Sequence, residues 1–233
     1  KLTLDGQVVT VAGSDEGWVD GPASSAKFNE PNGLAFDGAG NLYVADRGNE
    51  RIRRIDAQGN VTTLAGQWST GLGDGSGASA KFAQPIGLAI GSDGVLVVGD
   101  TNNNAIRSLT LVGDVATIAG AGPGSVGAQD GVGAQATFSA PRGVSVAGSG
   151  VVYVADRGNN RIRAISAAGV VSTLAGDSTG YQDGKGSALF KAPEGVVIGF
   201  AGVIYVLDSG NNRIRRIAAD GNVSTIAGPL AAA

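Results

Sequence analysis

One phrase decides what this chain can fold into. P-x-G-[LV], then D-x-[GN]-N-x-x-I-R, then G-x-V-x-T-[LI]-A-G occurs four times, roughly once every 54 residues. The copies open at Pro31, Pro85, Pro141 and Pro193, pass through Asp46, Asp100, Asp156 and Asp208, and close at Gly66, Gly120, Gly176 and Gly228. A further closing phrase, Gly6 to Gly13, stands alone at the N-terminus. Self-similarity at this period marks an array of supersecondary units that share one stacked core.

Each copy spells four short strands. In the first, a run from Gly33 to Asp37 is followed by a turn at 38–41, the β-rich run Leu42–Ala45, and a second turn at 46–49. Arg51–Asp56 and Val61–Ala65 complete the set, separated by the turn Ala57–Asn60. Asp, Gly and Asn in the 46–49 turn supply local hydrogen bonds and positive φ. Four strands joined by short turns form an antiparallel meander. Such units repeated around an axis make a β-propeller, so the expected class is all-β with four-stranded antiparallel blades. The second-strand runs Leu42–Ala45, Val95–Val98, Val151–Ala155 and Val203–Leu207 are apolar on both faces. A sheet covered on both sides reads this way, as a blade between two blades is. The expected repeats are 14–66, 67–120, 121–176 and 177–228, with 1–13 supplying an outer strand of a preceding or closing blade.

Composition limits the chemistry. There are 40 glycines among 233 residues, but no G-X-Y period, and 42% of residues are hydrophobic, which fits many tight turns in a packed body. Neither Cys nor His occurs. Disulfides, thiol chemistry and the commonest general base are therefore excluded. The net charge of −3 argues against a DNA platform, and no apolar run reaches the length of a membrane span. A start at Lys1 with no Met in the chain reads as a processed piece of a longer product.

The run Tyr43-Val44-Ala45-Asp46-Arg47-Gly48-Asn49-Glu50-Arg51-Ile52-Arg53, its three relatives, the Pro-x-Gly openings and the Thr-Leu-Ala-Gly closings resemble the NHL repeat. The resemblance covers nearly the whole chain. It implies a propeller, usually of six blades, used mostly for binding. Related lyases and hydrolases use His with a metal, and no position here supplies that His. Connectors such as Asp20-Gly21 to Ala26-Lys27-Phe28 resemble the longer variant found in secreted bacterial and multidomain eukaryotic proteins, which places the chain outside the cell or at its surface.

Strand counting leaves closure open. Fourth strands occur five times, at Val8–Ala12, Val61–Ala65, Val115–Ala119, Val171–Ala175 and Val223–Ala227, against four of every other kind. Either the chain is an arc completed by further blades of a parent chain or a protein partner, or it closes as a four-bladed ring. An arc that left roughly 400 Å² of apolar surface wet at each face would lose ~10 kcal/mol per face, so an open ring would self-associate.

Candidate site residues lie on the face of the long connectors. Asp20, Asp74, Asp130 and Asp183 each begin an Asp-Gly pair. They are hard oxygen ligands, so calcium is the cofactor they would take; the alternative is an Asx turn pinning each connector, which recurrence in every blade favours. Asp46, Asp100, Asp156 and Asp208 each precede an Arg by seven residues, as an internal pair would. Asn32, Ile86, Arg142 and Glu194 vary within the fixed frame beside the expected channel. They are candidate ligand positions, with Arg142 and Glu194 able to pair together. Trp18, Trp68 and Tyr181 are candidate glycan or peptide contacts, or else plugs between blades. Asn60 and Asn222 open N-glycosylation sequons on the opposite face. No catalytic residue or metal set is singled out. The expected function is a non-catalytic scaffold for protein or glycan interaction. The alternatives are a metal-assisted hydrolase with carboxylates at the channel mouth and an RNA-binding propeller using the recurrent arginines.

Overall fold

The computed structural model describes residues 1–229. It contains four antiparallel sheets, one per repeat. In the first, the inner strand Pro31–Phe36 pairs with Leu42–Asp46, which pairs with Arg51–Ile55, which pairs with Asn60–Gly66. Each sheet also gains a fifth, two-residue strand that the sequence reading did not foresee. Gly21–Pro22, from the long connector, pairs with the outer strand at Val61 and Asn60. The other connectors do the same at Gly75–Ser76, Gly131–Val132 and Gly184–Lys185. Blades 1 to 4 follow one another in chain order.

The turn after each second strand is a short 3-10 segment, Arg47–Asn49 in blade 1. Positive φ falls one residue later than the expected 46–49 turn, on Glu50, Asn104, Asn160 and Asn212. Those side chains have a use. Glu50 accepts from the backbone N–H of Gln84, Asn104 from that of Ala140, and Asn160 from that of Ala192. Each clasp ties one blade to the residue before the next blade's opening proline.

Blades meet along the inner strands. Pro31–Phe36 lies against Pro85–Ile90, which lies against Pro141–Val146, which lies against Pro193–Ile198. The glycine of Pro-x-Gly permits this approach. A Cβ on Gly33 would fall 2.2 Å from the Ile86 carbonyl oxygen, and one on Gly87 would fall 2.0 Å from that of Arg142. Between blades sit aliphatic clusters, each anchored by a connector phenylalanine: Phe82, Phe138 and Phe190, all fully buried. Side chains from both faces of each interior sheet contribute, so the continuous apolar runs are explained by two-sided burial.

No comparable contact joins the first inner strand to the fourth among the described residues, so the four blades form an open arc. Val8–Ala12 does not form the regular outer strand expected of it. Leu2 bridges Val8, and Thr3, Gly6 and Gln7 reproduce the hydrogen bonds of the turn at Asp56, Gly59 and Asn60. Ala12, with Phe28, packs against Leu42, Val44 and Ile55, covering part of the free face of blade 1.

Candidate functional site

The strongest electrostatic feature is a buried arginine in every blade. Arg53 donates to Asp46 at 2.7 Å and to Asp20 at 2.5 Å, and also to the carbonyls of Lys27 and Val19. Arg107 joins Asp100 and Asp74, Arg163 joins Asp156 and Asp130, and Arg215 joins Asp208 and Asp183. All four guanidinium side chains are 0% exposed. Each also lies over a phenylalanine ring, Phe28, Phe82, Phe138 or Phe190, about 5 Å from its centroid.

The Asp-Gly aspartates pin their connectors as expected, but through partners across the sheet rather than through a local Asx turn. Asp20 pins the connector by accepting from Arg53 and from the backbone N–H and hydroxyl of Thr63 on the outer strand. Asp130 and Asp183 repeat this with Thr173 and Thr225, and Asp74 accepts from Arg107 and the Thr117 hydroxyl. The inner aspartates are acceptors as well: Asp46 takes the N–H of Asn29 and the Asn49 amide. Burial pushes the Asp100 carboxyl up to about 6 against the hydrogen bonds from Ala83, Asn103 and Arg107. Burial also raises Asp156. Partial burial acts upward on Asp74 and Asp130 too, but the bonds from Thr117 with Arg107, and from Thr173 with Arg163, outweigh it and hold both below the usual carboxylate value.

The connectors and the 3-10 turns share one face, since Gly48 donates to Asn29 and the Asn49 amide to Gly17. On that face, Arg142 and Glu194 pair at 2.5 Å and Arg157 reaches the same Glu194 oxygen at 3.2 Å. Arg47 joins Glu30 at 3.3 Å and the Gln84 amide at 3.2 Å. Arginines 47, 142 and 157 thus converge, and burial together with their mutual repulsion lowers the Arg142 pKa against the pull of Glu194. Asn32 is exposed, but Ile86 is buried and does not line an open channel. Arg47 and Arg157, which sequence reasoning passed over, complete the cluster. Their signal was available: the residue after each inner aspartate also varies, as Arg47, Thr101, Arg157 and Ser209.

The aromatic candidates separate. Trp18 stacks on Arg51 at 4.5 Å, and Tyr181 lies over Arg213 at 3.6 Å. Both are therefore laid on the third strand of their own blade rather than wedged between blades. Trp68 is 78% exposed. Asn60 and Asn222 are exposed at the starts of outer strands. Of the recurrent arginines, Arg53, Arg163 and Arg215 are internal and Arg51 is buried, while Arg54, Arg161, Arg213 and Arg216 are half-buried. Among the described residues, no three His, Cys, Asp or Glu side chains lie close enough to hold a metal ion.

Radial sheets of four main strands and a short fifth, inner strands packed through glycine, and one Asp-Arg-Asp brace per sheet define a β-propeller array. The chain belongs to the NHL-repeat β-propeller family, whose repeat profile matches residues 28–55, 82–107 and 138–165. Blade 4 carries the same brace although the profile does not extend to it. Zebrafish teneurin-3 is 31% identical over 229 residues, covering 84% of this chain and 8% of its own. Human NHL repeat-containing protein 2 is 41% identical over 99 residues, covering 41% of this chain and 14% of its own. The chain thus spans only a small part of these relatives. Among solved structures, an auxiliary nutrient binding protein from Bacteroides thetaiotaomicron superposes with a TM-score of 0.67 at 21% identity, over 91% of this chain and 55% of that one. A streptogramin B lyase superposes with 0.59 at 18% identity, over 86% and 55%. The fold is therefore shared by binding proteins and enzymes.

Proposed function

We propose that this chain is a segment of a non-catalytic propeller whose ring is completed by further blades of the same kind, and whose connector face carries protein or glycan partners. One observation carries the reading: the free faces are built from residues that interior blades bury. Ile214 is 42% exposed, whereas Ile52, Ile106 and Ile162, at the same repeat position, are each 0% exposed. On the other free face Leu34 is 58% exposed, whereas Leu88, Val144 and Val196 are 7–8% exposed. Among the described residues Gly195 has only its own blade's Leu207 nearby, where Gly33, Gly87 and Gly143 each meet the next inner strand. Asn212 holds the clasp conformation with no partner for its side chain among the described residues. A following blade opening with x-Pro-x-Gly would satisfy the glycine, the clasp and the isoleucine together.

The proposal of no catalysis rests on the carboxylates. Identical braces in four blades are scaffold, and eight of the acidic side chains are committed to arginine. Partner recognition then falls to what varies, the Arg47, Arg142, Arg157 and Glu194 cluster with exposed Trp18 and Trp68. An extracellular or surface location is part of the proposal. Accessible Asn60 and Asn222 suit it, and a mobility shift on deglycosylation of the secreted chain tests it.

Sedimentation of the isolated chain, with and without Leu207→Lys and Ile214→Lys, tests the completion of the ring. The expected result is concentration-dependent association or binding of an apolar dye, lost in the double variant. A chain that is monomeric at every concentration and binds no dye would overturn the reading.

A further inference from the structure

Blade 2 departs from the others at one cross-strand pair. In blade 1, Tyr43 stands opposite Arg54. The Tyr43 ring is buried against Leu88, Leu96 and Leu109 of blade 2, and its hydroxyl donates to Asp37 at 3.0 Å. Arg54 reaches the Asn41 side chain at 3.0 Å. Blades 3 and 4 keep the tyrosine as Tyr153 and Tyr205, opposite Ala164 and Arg216. In blade 2 the pair is Val97 opposite Ser108, so the ring and the long cation are both gone.

The neighbouring blade does not fill the gap. A cleft of about 520 Å³ opens between blades 2 and 3, within the usual range for small-molecule sites. Val97, Ile118, Val146 and Ile165 line it, together with Ser108 and Asp93. Asp93 uses one oxygen to hold the Val95 N–H at 3.0 Å. Gly91 holds the place of Asp37 in this blade, but a Cβ on it would lie 2.5 Å from Asp93 Oδ1, so the Asp93 carboxylate reaches the space of the Asp37 side chain and takes the Val95 N–H as Asp37 takes that of Asn41. The cleft lies on the short-turn face, away from the arginine cluster on the connector face.

We propose that this cleft binds a small phenolic molecule, whose ring occupies the volume that Tyr43 fills in blade 1 and whose hydroxyl donates to Asp93. The template is internal to the molecule. The same fold, at the same repeat position, shows the shape and polarity of the group that fits. Valine and isoleucine walls offer dispersion contact to both ring faces, and a ring leaving water for them gains the apolar burial that Tyr43 already has.

The probe is p-cresol, which is the tyrosine side chain as a free molecule, titrated into the intact chain and followed by ligand-observed NMR and calorimetry. Binding with Kd of about 1 mM or tighter is expected, since a single ring has few atoms over which to gain affinity. Val97→Tyr should abolish it by refilling the volume, and Ser108→Arg should weaken it at least tenfold by restoring the blade 1 partner. The second variant changes a partly exposed position, so it reports even where overpacking in the Val97→Tyr variant disturbs folding. Toluene should bind more weakly than p-cresol in the wild type, and Asp93→Asn should remove most of that difference. No binding of p-cresol, or binding left unchanged by both refilling variants, overturns the proposal. Binding of a tyrosine-bearing peptide without binding of p-cresol overturns it as well.

Discussion

Ile162 and Ile214 occupy the same place in consecutive repeats, and truncating each to alanine measures what a neighbouring blade contributes. Ile162 is fully buried, packed in the cluster formed by Phe190, Val196 and Ile204 of blade 4. Ile→Ala removes three carbons, about 2.4 kcal/mol at ~0.8 kcal/mol per buried methylene. The interior site cannot fully collapse, and a cavity of ~50 Å³ adds about 1.2 kcal/mol. Ile162→Ala should therefore cost about 3.6 kcal/mol. Ile214 already has 42% of its surface in water, and solvent fills the space left by the missing carbons. Its truncation should cost about 1.4 kcal/mol, the covered share of the same transfer energy. Urea unfolding followed by circular dichroism reads the difference, and a gap of ~2 kcal/mol corresponds to roughly 4–8 °C in Tm for a chain this size. Appending a copy of repeat 67–120 after Gly228 should raise the cost of Ile214→Ala to that of Ile162→Ala. Equal costs in the isolated chain, or no change on extension, would refute the argument that the free face is an unfilled blade interface.

Three further outcomes are expected. Arg107→Met should destabilise by about 3–5 kcal/mol in denaturant titration, because it leaves Asp100 buried without its counter-charge, while Asp74→Asn, at a half-exposed partner, should cost far less. Gly87→Ala should prevent native assembly, since its Cβ would lie 2.0 Å from a carbonyl oxygen, whereas Gly195→Ala, 3.3 Å from a movable leucine side chain, should leave the thermal transition within a few degrees of wild type. In carboxyl NMR titrations Asp100 should show a midpoint near 6 and Asp74 one below 3.8. The sign follows from proton uptake: Asp100 binds its proton more tightly in the fold than in the unfolded chain, so its contribution to stability falls as pH rises from about 4 to 6. Asp74 does the reverse, and its contribution is lost only as pH drops below about 4.

Much of the fold was legible because the repeat copies its own boundaries. The four strands of each blade, the pairing of Asp46 with Arg53, and the shared face of connectors and turns follow from period and turn chemistry. The connector strand at Gly21–Pro22 was not legible, because two residues, one of them a proline, carry no periodicity. Asp20 was expected to pin the connector, but its partners were missed for a related reason. Its partners Arg53 and Thr63 lie 33 and 43 residues away, and only pairing across the sheet brings them to it.

By itself the sequence determined that this chain builds radial sheets with apolar flanks, and that neither histidine nor thiol chemistry is available to it. Local hydrogen bonding and side-chain alternation act over a few residues, so every copy announces them alike. Tertiary structure alone decided which copies have a neighbour. Ile52 and Ile214 sit in the same R-I-R phrase, yet one is buried and the other wet. It also decided that exchanging Tyr43 for Val97 opens a cleft, and that Ile86 is covered while Arg142 meets Glu194. Burial depends on what lies across an interface, and that information is carried by a strand some fifty residues away.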